Sequence, residues 1–161
     1  MQVSITRDLS TAWLLPLSSR ELAAALRAMW LAFGQAATAG FSPDALLELA
    51  LVDEAEMARL NEESLGCAGP TNILAFPPSP LGNSSLPLAG LLAMSPRTMR
   101  REAWLYGQEA APYALRLMAH GLAHLLGYEH GEEMDLAAAR AAQASLAAVS
   151  AQAAPGEPCH A

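Results

Sequence analysis

The 161-residue chain has no lysine, and its nine arginines face sixteen carboxylates, for a formal net charge of −7. That shortage excludes the broad basic surface that grips a polyanion by counterion release, so any nucleic-acid contact has to be local. Cysteine is nearly absent too. Cys67 and Cys159 have no neighbouring cysteine with which to build a zinc knuckle and read as free thiols. No long apolar run is present either. The most apolar stretch, residues 21–41, is broken by Arg27, Gln35 and two glycines, which falls short of an uncharged membrane span. Met1 to Asp8 lacks the cationic start, apolar core and cleavage site of a secretory signal, so a cytoplasmic protein without a membrane partner is expected.

Histidine is scarce as well, yet three of the four fall within eleven residues, in the run His120-Gly-Leu-Ala-His124-Leu-Leu-Gly127-Tyr-Glu-His130. Residues four apart share a helix face, so His120 and His124 can offer ring nitrogens to one ion. Gly127 can take the left-handed conformation that ends a helix and turns the chain back, letting His130 close the triangle. Three protein ligands leave the fourth tetrahedral position to water or substrate, as in catalytic zinc sites, and the metal-bound water is the expected reactive species. A lone histidine on an apolar helix is ordinarily a hydrogen-bonded core residue. Two imidazoles buried in one central helix need partners, and a single zinc ion supplies them.

The spacing also fits the extended zincin pattern H-E-x-x-H-x-x-G-x-x-H, except that Gly121 stands where the proteolytic glutamate belongs. Without that base, peptide hydrolysis ranks last among the functions considered.

His120-Gly121 to His130 resembles the H-G-x-x-H-L-x-G-Y-D-H signature of the YbeY family of endoribonucleases, with Glu129 at the last acidic position. Pro70-Thr71-Asn72-Ile73-Leu74-Ala75-Phe76-Pro77 is similar to that family's P-T-N-V-L-S-F-P block, at the expected distance upstream. The resemblance implies a metal-dependent, single-strand endoribonuclease acting in small-subunit ribosomal RNA maturation and ribosome quality control. It further implies zinc held by His120, His124 and His130, and ribosomal RNA or ribosomal particles, with ribosome-associated proteins, as partners. Thr71 and Asn72 become candidate substrate contacts. Two departures weaken the catalytic implication. Leu65 sits where the family has an arginine able to hold a phosphate with a forked pair of hydrogen bonds, and Leu91 replaces an acidic residue. A non-catalytic, metal-stabilised ribosome-assembly factor is therefore the principal alternative. Glu129 reads as a partner steadying a histidine rather than as a catalytic group.

Arg97, Arg100 and Arg101, with Arg116 as a possible addition, form the local basic cluster suited to phosphate. The ordinary alternative is a solvated helix face.

Along the chain, Val3-Ser4-Ile5 begins a strand, Trp13 to Pro16 reads as a loop, and Ser18 or Ser19 caps a helix. Leu22, Ala25, Leu26, Met29 and Phe33 line one face of that helix, which is expected to end near Gly40. Leu46 to Val52 reads as a strand, and Asp53 caps a helix through Asn61 followed by a loop at 64–70. Strands at Thr71 to Phe76 and Leu88 to Ser95 flank a Pro/Gly-rich loop, a possible lid. Pro96 opens a helix to about Glu109, Pro112 the buried histidine helix, and Glu132 a last helix to about Ser150. The order implies a single α+β domain over 1–150, a small mixed β-sheet packed against helices, with the histidines on a buried central helix. Residues 151–161 read as a disordered tail.

Overall fold

The computed structural model describes residues 1–8, 10–34, 42, 44–78 and 88–153. Strands and helices alternate as β1 (Gln2–Arg7), α1 (Ser19–Gly34), β2 (Leu46–Leu51), α2 (Glu54–Leu65), β3 (Ile73–Phe76) and β4 (Leu88–Met94). Three helices follow: α3 (Pro96–Leu105), α4 (Ala110–Leu125) and α5 (Glu132–Ala153). This is the expected order. The segment expected as a loop after β1 holds one 3-10 turn, Ala12–Leu14. The expected helix end near Gly40, the possible lid beyond Pro78 and tail residues 154–161 lie outside the described residues.

The four strands form one mixed sheet in the order β1-β2-β4-β3, with β3 alone antiparallel to its neighbour. Parallel neighbours cannot be joined by a tight turn, so α1 carries the chain from β1 to β2. Side chains alternate across the strands, and each face finds a different partner. Leu47, Leu49, Leu51, Leu92 and Met94 pack with Leu22, Leu26, Met29 and Phe33 of α1 and with Leu115, Met118 and Leu122 of α4. Leu74 and Ala93 face the other way, onto Met57 of α2. Helix α4 is thus held against the sheet on the face opposite α2.

Local chemistry sets the helix ends. At α1, the Ser18 hydroxyl accepts from the Glu21 amide at 3.2 Å while the Glu21 carboxylate accepts from the Ser18 amide at 2.7 Å. This reciprocal box makes Ser18 the cap. At α2, Asp53 accepts from the Glu56 amide at 2.8 Å. Replacing Asp53 by alanine is expected to lower stability by about 1 kcal/mol. The check is a shift in urea midpoint at constant slope, and an unmoved midpoint would mean another group takes over the cap.

Strand β3 begins at Ile73 instead of Thr71, α4 at Ala110 instead of Pro112, and α5 takes in residues 151–153 of the expected tail. Two helix ends differ by four residues. Helix α2 continues past Asn61 because that side chain caps nothing. It is buried and donates to the Gly69 carbonyl at 2.9 Å, pinning the following loop, so Ser64 and Leu65 are helical. Helix α3 stops four residues before Glu109, since Gly107 takes a left-handed φ of 63° and its amide bonds back to the Trp104 carbonyl, while the Gln108 amide reaches that of Ala103. That stop leaves Trp104, Leu105 and Tyr106 exposed.

Candidate metal centre and its groove

His120 and His124 occupy one face of α4, one turn apart, as their spacing requires. The helix then ends on Gly127, whose φ is 81°. The Gly127 amide bonds the His124 carbonyl at 3.0 Å and the Tyr128 amide bonds that of Ala123 at 3.0 Å, closing the carbonyls left open by the helix end. The chain reverses over this glycine and returns His130 to the other two. Ring centroids lie 4.6 Å apart for His120 and His124, 4.7 Å for His124 and His130, and 5.5 Å for His120 and His130.

One ligand atom from each ring lies within 4.8 Å of the others, and the Nε2 atoms of His120 and His124 are 3.1 Å apart. Two nitrogens about 2.0–2.1 Å from one tetrahedral zinc would stand roughly 3.3 Å apart, so the trio fits a single ion. Burial, reinforced by the neighbouring histidines, lowers the His120 pKa below the ordinary 6.5, and burial then His130 do the same for His124. Both rings are therefore neutral at pH 7, with a lone pair free for a metal.

Asp135, in the first turn of α5, opposes the lowering at His120 and lines the same groove. Glu129 is exposed, and the carboxylate whose charge is felt by His120 is that of Asp135 instead.

Gly121 is buried, and a Cβ there would lie 2.8 Å from Leu92 Cδ2 and 3.1 Å from Ile73 Cδ1. Its face of α4 meets the sheet, not the histidines. The position occupied by glutamate in the zincin pattern thus points into the core in this fold, where an ionised carboxylate would be costly.

Beside His120 opens a groove of about 370 Å³ lined by Asn72, Tyr113, Arg116, Leu117, His120 and Asp135, among others. Asn72 Nδ2 donates to Glu102 Oε2 at 2.8 Å, and the Tyr113 hydroxyl donates to the same oxygen at 2.9 Å. Burial, followed by the Glu102 carboxylate, pushes the Tyr113 phenol up to about 12, so it remains a donor. The Arg116 guanidinium lies over the Tyr113 ring, 5.2 Å from its centroid.

The other sequence candidates are elsewhere. Thr71 is half-buried and does not line the groove. Arg97 pairs with Glu54 at 3.4 Å, Arg100 donates to the Leu14 carbonyl at 3.3 Å, and Arg101 is exposed on α3. Arg59, on α2 six residues before Leu65, is held between Glu56 at 2.7 Å and Glu63 at 2.6 Å. Leu65 is 64% exposed at the end of α2. Leu91 shares a sheet face with Ala93 on the α2 side, so an acidic residue there would stand away from the histidines. Cys67 is exposed and free.

Sequence reasoning missed Tyr113, Glu102 and Asp135, and Arg116 entered only as an appendage to the α3 cluster. Tyr113 and Arg116 had a signal, lying seven and four residues before His120 in the same helical stripe. Glu102 had none, since its partners come from the β3 approach and from α4.

A family model described as Endoribonuclease YbeY matches residues 17–149. Endoribonuclease YbeY of Nitratidesulfovibrio vulgaris is 42% identical, the match covering 84% of this chain and 90% of that one. The corresponding protein of Oleidesulfovibrio alaskensis is 40% identical, over 74% and 78% of the two chains. A solution structure from Thermotoga maritima, TM1509, superposes with a TM-score of 0.59 at 18% identity over 99% of this chain, a likeness of fold. With a family match spanning most of its length and the histidine triad in place, the chain belongs to the Endoribonuclease YbeY family.

Proposed function

We propose that the protein is a zinc-dependent endoribonuclease that cuts single-stranded RNA in the maturation of small-subunit ribosomal RNA and in ribosome quality control. The observation that carries the metal reading is the convergence of His120, His124 and His130, with their ligand atoms within 4.8 Å of one another. Three imidazoles and no thiolate suit zinc with an open position. A bound zinc contributes Lewis acidity toward water and a phosphoryl oxygen.

The chain's own groups supply positioning. Glu102 fixes the Asn72 amide and the Tyr113 hydroxyl through one oxygen, so both stay aligned along the groove wall. Arg116 is the arginine of that wall, one helical turn before His120, and takes the phosphate-holding part that Leu65 cannot play. Asp135 sits where it favours positive charge on His120. Arg97, Arg100 and Arg101 would engage RNA farther along the chain, outside the groove, while Thr71 would act beside Asn72. The protein would work in the cytoplasm on ribosomal RNA or ribosomal particles.

The peptidase reading loses support from Gly121, which faces the sheet. The assembly-factor reading draws on one observation, the exposed Leu65 at the end of α2 in place of a phosphate ligand. Zinc-loaded protein incubated with precursor small-subunit ribosomal RNA distinguishes the two. Cleavage that a chelator stops and added zinc restores is expected, whereas binding of the RNA without cleavage at one bound metal per chain would favour the assembly factor.

A further inference from the structure

Tyr106 is 64% exposed at the end of α3, last of three successive exposed apolar side chains. Its ring meets that of Tyr113 with centroids 6.2 Å apart and planes tilted by 47°. Tyr113 is buried and tied to Glu102 Oε2, which fixes the inner ring, while the outer ring keeps an open π-face. Arg116 lies over the Tyr113 ring, and Tyr113, Arg116 and His120 follow at intervals of three and four along one stripe of α4. Tyr113 and His120 are thus about 10 Å apart along the helix axis. An exposed aromatic resting on the groove-lining Tyr113, with the Arg116 cation on that same ring, is poorly explained by folding alone.

We infer that Tyr106, braced by Tyr113, forms a nucleobase-stacking subsite that holds one unpaired base of single-stranded RNA while Arg116 takes the adjoining phosphate. Aromatic faces accept any base, so the subsite selects for unpaired strands without reading sequence. In a duplex the base faces are covered by their neighbours, and the subsite finds nothing to stack on. In an acidic chain without lysine, stacking supplies affinity that bulk charge cannot. The subsite rests on RNA being the substrate, and deepens that reading.

The test uses zinc-loaded protein and a short, fluorescently labelled, single-stranded 2′-O-methyl oligoribonucleotide, checked on a gel to be intact. An abasic strand with the same number of phosphates is titrated beside it, both by anisotropy. Tyr106→Ala is expected to weaken binding of the base-bearing strand roughly tenfold, to leave abasic binding unchanged, and to be rescued by Tyr106→Trp. Equal binding of the two strands by the wild type, or unchanged binding by Tyr106→Ala, would overturn the subsite. Circular dichroism confirms that the variants fold, as expected for so exposed a side chain. Cleavage of precursor RNA by the same preparations separates the two readings. Cleavage with base-independent binding removes the subsite alone, and base-dependent binding lost in Tyr106→Ala without any cleavage removes only the nuclease.

Discussion

Gly121→Glu will restore the complete zincin motif in the sequence and is expected to cost the protein its fold instead of conferring peptidase activity. The new Cβ would stand 2.8 Å from Leu92 Cδ2 and 3.1 Å from Ile73 Cδ1, and the carboxylate beyond it would enter the layer between α4 and the sheet. Overpacking a filled core costs about 1–3 kcal/mol, and an unpaired buried charge about 3–5 kcal/mol. Together these reach about 4–8 kcal/mol, comparable to the lower half of the roughly 5–15 kcal/mol that keeps a domain folded. Gly121→Ala should lose only about 1–2 kcal/mol, because the clashing atoms are ends of flexible side chains and alanine regains helix propensity. Urea unfolding of both variants is the measurement. A glutamate variant with wild-type stability would show that position 121 does not face the sheet, and casein turnover by it would revive the peptidase.

His124→Ala is expected to weaken zinc binding roughly a thousandfold, on the basis that structural zinc sites contribute about 10–16 kcal/mol spread over their ligands. The ring lies between its two partners, with centroids 4.6 Å and 4.7 Å away, so its loss leaves a pair 5.5 Å apart rather than a triangle. Stability should divide in the same way. Zinc is expected to raise the wild-type melting temperature by binding the native state, and that rise should vanish in the variant. The metal-free variant should melt close to the metal-free wild type, since what the half-buried His124 ring gives up is its contact with His120 and one hydrogen bond to the Tyr128 backbone. RNA cleavage should fall together with zinc occupancy. A variant that still retains one zinc through dialysis, or that cleaves at the wild-type rate, would remove the triad from the function.

Much of the site was legible in advance because its determinants are local. The four-residue interval between His120 and His124 fixes a shared helix face whatever surrounds it, and Gly127 permits the left-handed turn that returns His130. The buried stripe of α1, at Leu22, Ala25, Leu26, Met29 and Phe33, follows from the same periodicity. Boundaries failed where a side chain's partner lay elsewhere in the chain. Asn61 reads as a helix end by type, yet its amide is spent on the Gly69 carbonyl and α2 runs on. The clustering of Arg97, Arg100 and Arg101 on α3 was legible too, but not that Arg97 meets Glu54 and Arg100 the Leu14 carbonyl, both from earlier elements.

The sequence by itself determined the three histidines that converge, the alternation of strands and helices, and the family, since spacing and short-range conformational preference need no knowledge of the rest of the chain. Only the tertiary structure decided what surrounds those histidines. It brought Asn72, Glu102 and Tyr113, from three separate segments, onto one carboxylate oxygen, and set Asp135 against His120. It also turned Gly121 toward the sheet and Leu91 away from the histidines. The reason is physical: these neighbours are chosen by which faces of the sheet and of α4 bury together, a property of packing across long sequence separations that no local pattern encodes.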